Sequence, residues 1–132
     1  MGAKEATEMT NETKKRILVV DDEVSLCSIL KLKLEQKGFD VAVAYSGEEC
    51  LEALKDSVPD VIILDLILPK LSGYEVCAKI KIDHASKVPV IIHTALADTV
   101  NENLSKMCKA DAYVPKPHSS QELEKAIQKV TA

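Results

Sequence analysis

Short apolar runs alternate along the chain with longer segments whose apolar residues recur at helical spacing. Ile17 to Val20, Val41 to Ala44, Val61 to Leu64, Val88 to Ile92 and Ala112 to Val114 predict five strands. Several are nearly continuous in Val and Ile, the pattern of parallel strands covered on both faces. Helices must do the covering. Leu26, Ile29, Leu30 and Leu34 stripe the first, which stops at Gly38. Ser46 with Glu49 forms a capping box for the second, whose stripe is Cys50, Leu51 and Leu54. The third runs from about Ser72 through Val76, Cys77 and Ile80. Val100, Leu104, Met107 and Cys108 give the fourth a weaker stripe, and Ser119 with Glu122 caps a fifth carrying Leu123, Ile127 and Val130.

Strict alternation of strand and helix predicts an α/β fold with right-handed crossovers. At this size the expected architecture is a flavodoxin-like, doubly wound, five-stranded parallel sheet of order 2-1-3-4-5, flanked by five helices. With 132 residues, 46% of them hydrophobic, the chain supports one core and not two. Residues 1–14 read as a polar tail and 15–132 as the folded domain. The tail has no apolar stretch of signal-peptide type, and no later run is long enough to span a membrane, so a cytoplasmic protein without membrane contact is expected.

Charge narrows the class further. Asp and Glu number 21 against 17 Lys and Arg, with no basic block beyond Lys14-Lys15-Arg16, which argues against direct nucleic-acid binding. The four cysteines, at 27, 50, 77 and 108, show no CxxC spacing. They read as reduced thiols packed like small hydrophobes, not as a disulfide or zinc framework.

In a sheet of this order the ligand crevice opens beyond the carboxyl ends of strands 1 and 3. Asp21 and Asp22 follow strand 1, Asp65 follows strand 3, Thr94 ends strand 4, and Lys116 follows strand 5 in the run Tyr113-Val-Pro-Lys116-Pro117. Taken singly each has an ordinary explanation: Asp21 or Asp22 as a helix cap, Asp65 as a turn residue, Thr94 as a strand residue, Lys116 as surface charge, Tyr113 as a core aromatic. His93 reads as a strand side chain packed under a helix, since no second His stands at ligand spacing. Taken together, three converging carboxylates repel unless a cation enters, and an all-oxygen set suits Mg²⁺ (or Mn²⁺) rather than zinc. With a divalent ion and the Lys116 ammonium, the formal charge of the three carboxylates closes to zero. A site of this kind suits a phosphoryl group, with Asp65 as nucleophile, Lys116 and the metal neutralising its oxygens, and Thr94 donating a hydrogen bond.

The ordered set Val19-Val-Asp21-Asp22-Glu23, Leu64-Asp65-Leu-Ile-Leu-Pro69 with Gly73, Thr94-Ala95 and Lys116-Pro117 closely resembles the receiver domains of two-component response regulators, over residues 16–131. The resemblance implies a phosphorylation-activated signalling switch in a phosphorelay. Asp65 accepts a phosphoryl group from a sensor histidine kinase or phosphotransfer protein. Asp22, Asp65 and the backbone carbonyl of Ile67 bind Mg²⁺, and Asp21 contributes through water. Thr94 and Tyr113 form the switch pair that reshapes the face of the fourth helix, fifth strand and fifth helix for a downstream protein target. A phosphorylation-dependent homodimer is a further option. The domain is then a phosphoacceptor that assists its own phosphorylation and dephosphorylation, not an enzyme acting on other substrates.

Several positions depart from the family pattern. Leu68 replaces a common Met, His118 follows Lys-Pro where an aromatic is usual, and Lys109 takes the place of a helix-ending Gly, where a left-handed conformation costs more. Ile67 and Leu96 are apolar where the family borders attacking water, which implies slow self-dephosphorylation. Two other readings compete: a phosphorylation-independent receiver-like scaffold, and an aspartyl-phosphate phosphatase, which would need a second Asp where Ile67 stands. The chain ends just after the fifth predicted helix, so it fits a stand-alone regulator, a phosphorelay shuttle, or the receiver part of a longer chain equally.

Overall fold

Strand β1 (Arg16–Val20) lies between β2 (Asp40–Ala44) and β3 (Val61–Leu64), and β3 continues to β4 (Val90–Thr94) and β5 (Ala112–Pro115). Every pairing is parallel, and the order is the expected 2-1-3-4-5. The computed structural model describes residues 14–83, 87–95, 108–116 and 120–132. Most of the fourth predicted helix, with Val100, Leu104 and Met107, lies outside the described residues, as do Leu96, His118 and the Ser119 cap. The four helices among the described residues are α1 (Val24–Gln36), α2 (Gly47–Asp56), α3 (Gly73–Asp83) and α4 (Ser120–Val130), the last being the fifth one predicted.

Period-two alternation along the strands divides the core into two layers. Ile17, Val19, Val61, Ile63 and Ile91 face Cys27, Leu30 and Leu34 of α1 and Leu123 and Ile127 of α4. Leu18, Val20, Ile62, Leu64 and Ile92 face Cys50 and Leu54 of α2 and Val76, Cys77 and Ile80 of α3. Strands apolar on both faces are therefore the signature of this two-sided packing, and β1, β3 and β4 are buried almost throughout.

Three local expectations need correction. In α1 the buried residues are Cys27, Leu30 and Leu34, with Leu26 partly buried, while Ile29 is half exposed. The spacing 27, 30, 34 turns the buried face so that Cys27, not Ile29, occupies it. Strand 4 is displaced by two residues, from Val88–Ile92 to Val90–Thr94. Pro89 has no N–H to give the ladder, although its carbonyl accepts from Ile62 N–H at 3.0 Å, so regular pairing starts at Val90. At the second helix Ser46 accepts Glu49 N–H at 3.1 Å as a capping box requires, but the Glu49 carboxylate reaches Tyr45 N–H at 3.2 Å rather than that of Ser46.

One buried charge has no counterpart in the sequence pattern. Lys81, near the end of α3, is 5% exposed at its side chain; its ammonium donates to the Val88 carbonyl at 3.0 Å and to the Asp111 carboxylate. The same carboxylate oxygen accepts Val90 N–H at 2.8 Å. The pair fastens α3 to the entries of β4 and β5. Asp111→Ala should strand that ammonium with a single acceptor and destabilise the fold by about 2 kcal/mol, read as a lowered urea midpoint with an unchanged m-value.

Candidate functional site

The acidic cluster is built by the ends of β1 and β3. Beyond Val20, the Asp21 N–H donates to the Ala44 carbonyl at 3.1 Å, which extends the ladder by one bond and fixes Asp21 at the sheet edge. Asp65 N–H donates to the Val20 carbonyl at 3.0 Å, so the two acidic residues are held side by side by adjacent strands. Asp21 Oδ1 accepts Glu23 N–H at 2.9 Å and shapes the turn into α1. The N-cap of that helix is Glu23, without a side-chain cap bond. Asp22 is exposed, yet it, Asp21 and Asp65 each offer a carboxylate oxygen, and the three lie within 4.8 Å of one another.

Lys116 arrives from the far side of the sheet. Its backbone N–H donates to the Thr94 carbonyl at 2.7 Å, and its Nζ reaches Asp21 Oδ2 at 2.6 Å and Asp65 Oδ2 at 3.3 Å. Asp65 Oδ1 accepts Ile67 N–H at 3.1 Å. Burial pushes the Asp65 carboxyl above its ordinary range, and the neighbouring Asp21 charge adds to this; the Ile67 N–H and Lys116 oppose it without prevailing. Burial works against the Lys116 ammonium, but its hydrogen bond to Asp21 and the charges of Asp65 and Asp21 outweigh it and hold its pKa above the ordinary lysine value.

Thr94 is fully buried at the end of β4. Its hydroxyl has no hydrogen-bond partner of good geometry among the described residues, although it lies near enough to Asp65 to favour the ionised carboxylate. A buried polar atom left in this state costs free energy until something supplies a partner. Tyr113 stands on β5 opposite Ile92 and packs, partly buried, against the α2/α3 side of the core. His93 is buried on β4. Ile67 is half exposed beside Asp65.

The loop after Asp65 is held by Gly73, whose N–H donates to the Leu66 carbonyl at 3.0 Å. A Cβ at this position would lie 2.2 Å from the Asp65 carbonyl oxygen and 2.5 Å from Leu66 Cα. The first residue of α3 thus rests directly on the backbone of the acidic residue. Ser72 accepts Glu75 N–H at 3.3 Å and caps this helix, a cap that the Ser-x-x-Glu pattern signals in the sequence. Among the described residues two non-glycine residues have left-handed backbones: Lys109, as its replacement of a helix-ending Gly suggested, and Lys70, after Pro69. Each carries strain on the order of 1 kcal/mol.

The chain that places a basic strand-end residue, a buried hydroxyl and three acids at one edge of a 2-1-3-4-5 sheet resembles known proteins over most of its length. Residues 17–128 match the family described as response regulator receiver domain. The chain belongs to that family. This receiver is 45% identical over 119 residues to a probable transcriptional regulator ycf27 of Guillardia theta, covering 90% of this chain and 46% of that protein. It is 42% identical over 110 residues to the DNA-binding response regulator MtrA of Mycolicibacterium paratuberculosis, covering 83% of this chain and 48% of MtrA. The receiver thus spans about half the length of the curated relatives it matches. Among solved structures, the response regulator TrrA of Thermotoga maritima, in complex with Mg²⁺ and BeF, superposes with a TM-score of 0.80 at 34% identity, over 88% of this chain and 98% of that one. The receiver domain of the Francisella response regulator 1452 gives 0.83 at 30% identity, over 89% and 97%.

The receiver is accordingly a signalling domain of the two-component type, a family of phosphorylation-activated switches. No helix among the described residues is long and apolar enough to cross a membrane.

Proposed function

We propose that Asp65 is the phosphoacceptor of this switch, and that a sensor histidine kinase or phosphotransfer protein is the donor. The observation that carries the reading is the surroundings of the Asp65 carboxylate: an ammonium at 3.3 Å and, nearby, a buried Thr94 hydroxyl without a well-formed hydrogen bond among the described residues. An Asp65 oxygen attacks phosphorus, the bond to the donor breaks, and an acyl phosphate forms. Lys116 can then turn from the carboxylate toward a phosphoryl oxygen, and the Thr94 hydroxyl can donate to another. This differential contact is what biases the switch, since a modification shifts a two-state equilibrium only by the interactions it makes in one state and not the other.

Asp21, Asp22 and Asp65, with the Ile67 carbonyl, are the proposed ligands of Mg²⁺ (or Mn²⁺), and the all-carboxylate donor set fits a hard divalent ion. Bound there, the ion would neutralise charge on the phosphoryl oxygens. Residues 15–132 form the folded domain and 1–14 a tail. The domain works in the cytoplasm through a downstream protein target, with a phosphorylation-dependent homodimer as a further option, without touching nucleic acid or membrane itself and without turning over other substrates. Tyr113 is the second switch residue.

Mg²⁺ is expected to raise the thermal midpoint of the protein in a concentration-dependent way, as any ligand of the native state does. Asp22→Ala should abolish most of that rise, because Asp22 is exposed and its loss leaves the fold intact. Incubation with acetyl phosphate should give one phosphate adduct by intact mass, and only when Mg²⁺ is present. An unchanged midpoint together with no adduct would remove the reading. For the lifetime of the adduct, Ile67→Asn is expected to shorten the half-life several-fold, because a polar side chain at this half-exposed position can orient attacking water. A half-life that barely changes or lengthens would argue against apolar shielding.

A further inference from the structure

Of the four cysteines, Cys77 and Cys108 are 31 positions apart in sequence and adjacent in space. Cys77 is fully buried on the core face of α3; Cys108 is half-buried in the turn that leads into β5. The Cys77 thiol donates to the Cys108 carbonyl oxygen at 3.4 Å, which puts the two residues in contact. The remaining two differ. Cys27 and Cys50 are both buried, and burial above all pushes their thiols up to about 11 and about 12, which keeps them protonated. Within the pair the contact with Cys108 and burial push the Cys77 thiol up as well, while the same contact, with help from the Ala110 N–H and the Lys81 charge, lowers Cys108 to about 7.

We infer that Cys77 and Cys108 are a redox modification site, at which hydrogen peroxide converts the pair into an intramolecular disulfide joining α3 to the entry of β5. Cys108 is the attacking residue, because it is the more accessible of the two. Its thiolate attacks one peroxide oxygen, an S–O bond forms, the O–O bond breaks, and the departing hydroxide takes up a proton as water. Cys77 then attacks the Cys108 sulfur, an S–S bond forms, the S–O bond breaks, and hydroxide leaves with the Cys77 proton as a second water. Two thiols lose two electrons and one peroxide becomes two waters. The neighbouring Lys109 is left-handed, at φ 65°, so the chain turns directly after Cys108. Lys81 is hydrogen-bonded to Asp111, so its charge is held in place near the pair.

The link would tie the start of β5 to α3, and β5 is the strand that carries Tyr113 and leads to Lys116. Oxidation is therefore expected to restrain the segment through which the switch is read.

The test is a disulfide map of the whole chain. Protein treated with a small excess of hydrogen peroxide, quenched with iodoacetamide and digested without reductant should lose the mass of two hydrogens and give one linked peptide pair, carrying Cys77 and Cys108. Dithiothreitol should reverse it. In Cys77→Ala the same treatment with dimedone should label Cys108 as a trapped sulfenic acid, and in Cys108→Ala the remaining thiols should react at least about tenfold more slowly. A link to Cys27 or Cys50, a link only between molecules, or no mass change under conditions that oxidise free cysteine would each overturn the inference. The wild-type map needs no variant, so a folding defect in either substitution would not spare it.

Discussion

Asp65→Asn is expected to abolish the phosphate adduct completely while making the metal-free protein more stable. The amide keeps the shape of the carboxyl group and its acceptor for the Ile67 N–H, 3.1 Å away in the wild type, but it is no nucleophile. The stability effect follows from the direction of the Asp65 pKa, which lies above the ordinary carboxylate value even with Lys116 alongside. The fold therefore disfavours the ionised form, net of its ion pair. For a carboxyl raised in this way, the stabilising contribution is fully present below the unfolded-state pKa and is lost as pH rises through the folded-state pKa. Wherever wild-type Asp65 is ionised it bears a burial cost that Asn does not, and the variant should show a higher urea midpoint than wild type in the absence of metal. The gain should shrink as pH falls below the carboxylate range and vanish when Mg²⁺ is added to both proteins, because the ion stabilises only the charged cluster. An adduct that persists on the variant would move the acceptor to Asp21 or Asp22. A variant less stable than wild type at neutral pH would mean that the ion pair with Lys116 outweighs the cost of burial.

Gly73→Ala should be the most disruptive change outside the charged residues. Its Cβ would stand 2.2 Å from the Asp65 carbonyl oxygen and 2.5 Å from Leu66 Cα, and both obstacles are backbone, which cannot rotate away. Either the start of α3 retreats or the loop after Asp65 moves, at a cost of about 3 kcal/mol. The second route displaces the Ile67 N–H and the Asp65 carboxylate together, and a displacement near ~1 Å is enough to slow phosphorylation by about a hundredfold. Gly38→Ala makes a clean comparison. Gly38 has φ +97° and open space, with nothing within 4 Å of where a methyl group would stand, so the substitution should cost about 1 kcal/mol from backbone strain and nothing in phosphorylation rate. Equal rates for Gly73→Ala and wild type would show that the loop accommodates the methyl group away from Asp65.

The largest features were readable because they are local or periodic. Strands β1 and β3 announce themselves as unbroken Val, Ile and Leu, since both faces are covered, and the alternation with helical stripes implies parallel order with little else allowed. The ends of those strands carry Asp21, Asp22 and Asp65, so their convergence follows from topology. Boundaries were less secure: the ladder of β4 waits for Pro89 to pass, and the buried face of α1 takes Cys27 in place of Ile29, because in each case the neighbouring strand or helix decides the phase.

What stayed hidden were pairings between distant positions. The Lys81 ammonium against Asp111, the Cys77 thiol against Cys108, and Gly73 against the Asp65 peptide each join residues that carry no mark of one another in sequence. By itself the sequence determined the fold class, the strand order and the identity of the acids, lysine and threonine gathered at one edge, since periodicity and chain order suffice for these. Only the tertiary structure decided which oxygen Lys116 holds, that the Thr94 hydroxyl is buried beside Asp65, and that two cysteines touch, because hydrogen bonds and thiol contacts depend on ångström distances that packing alone sets.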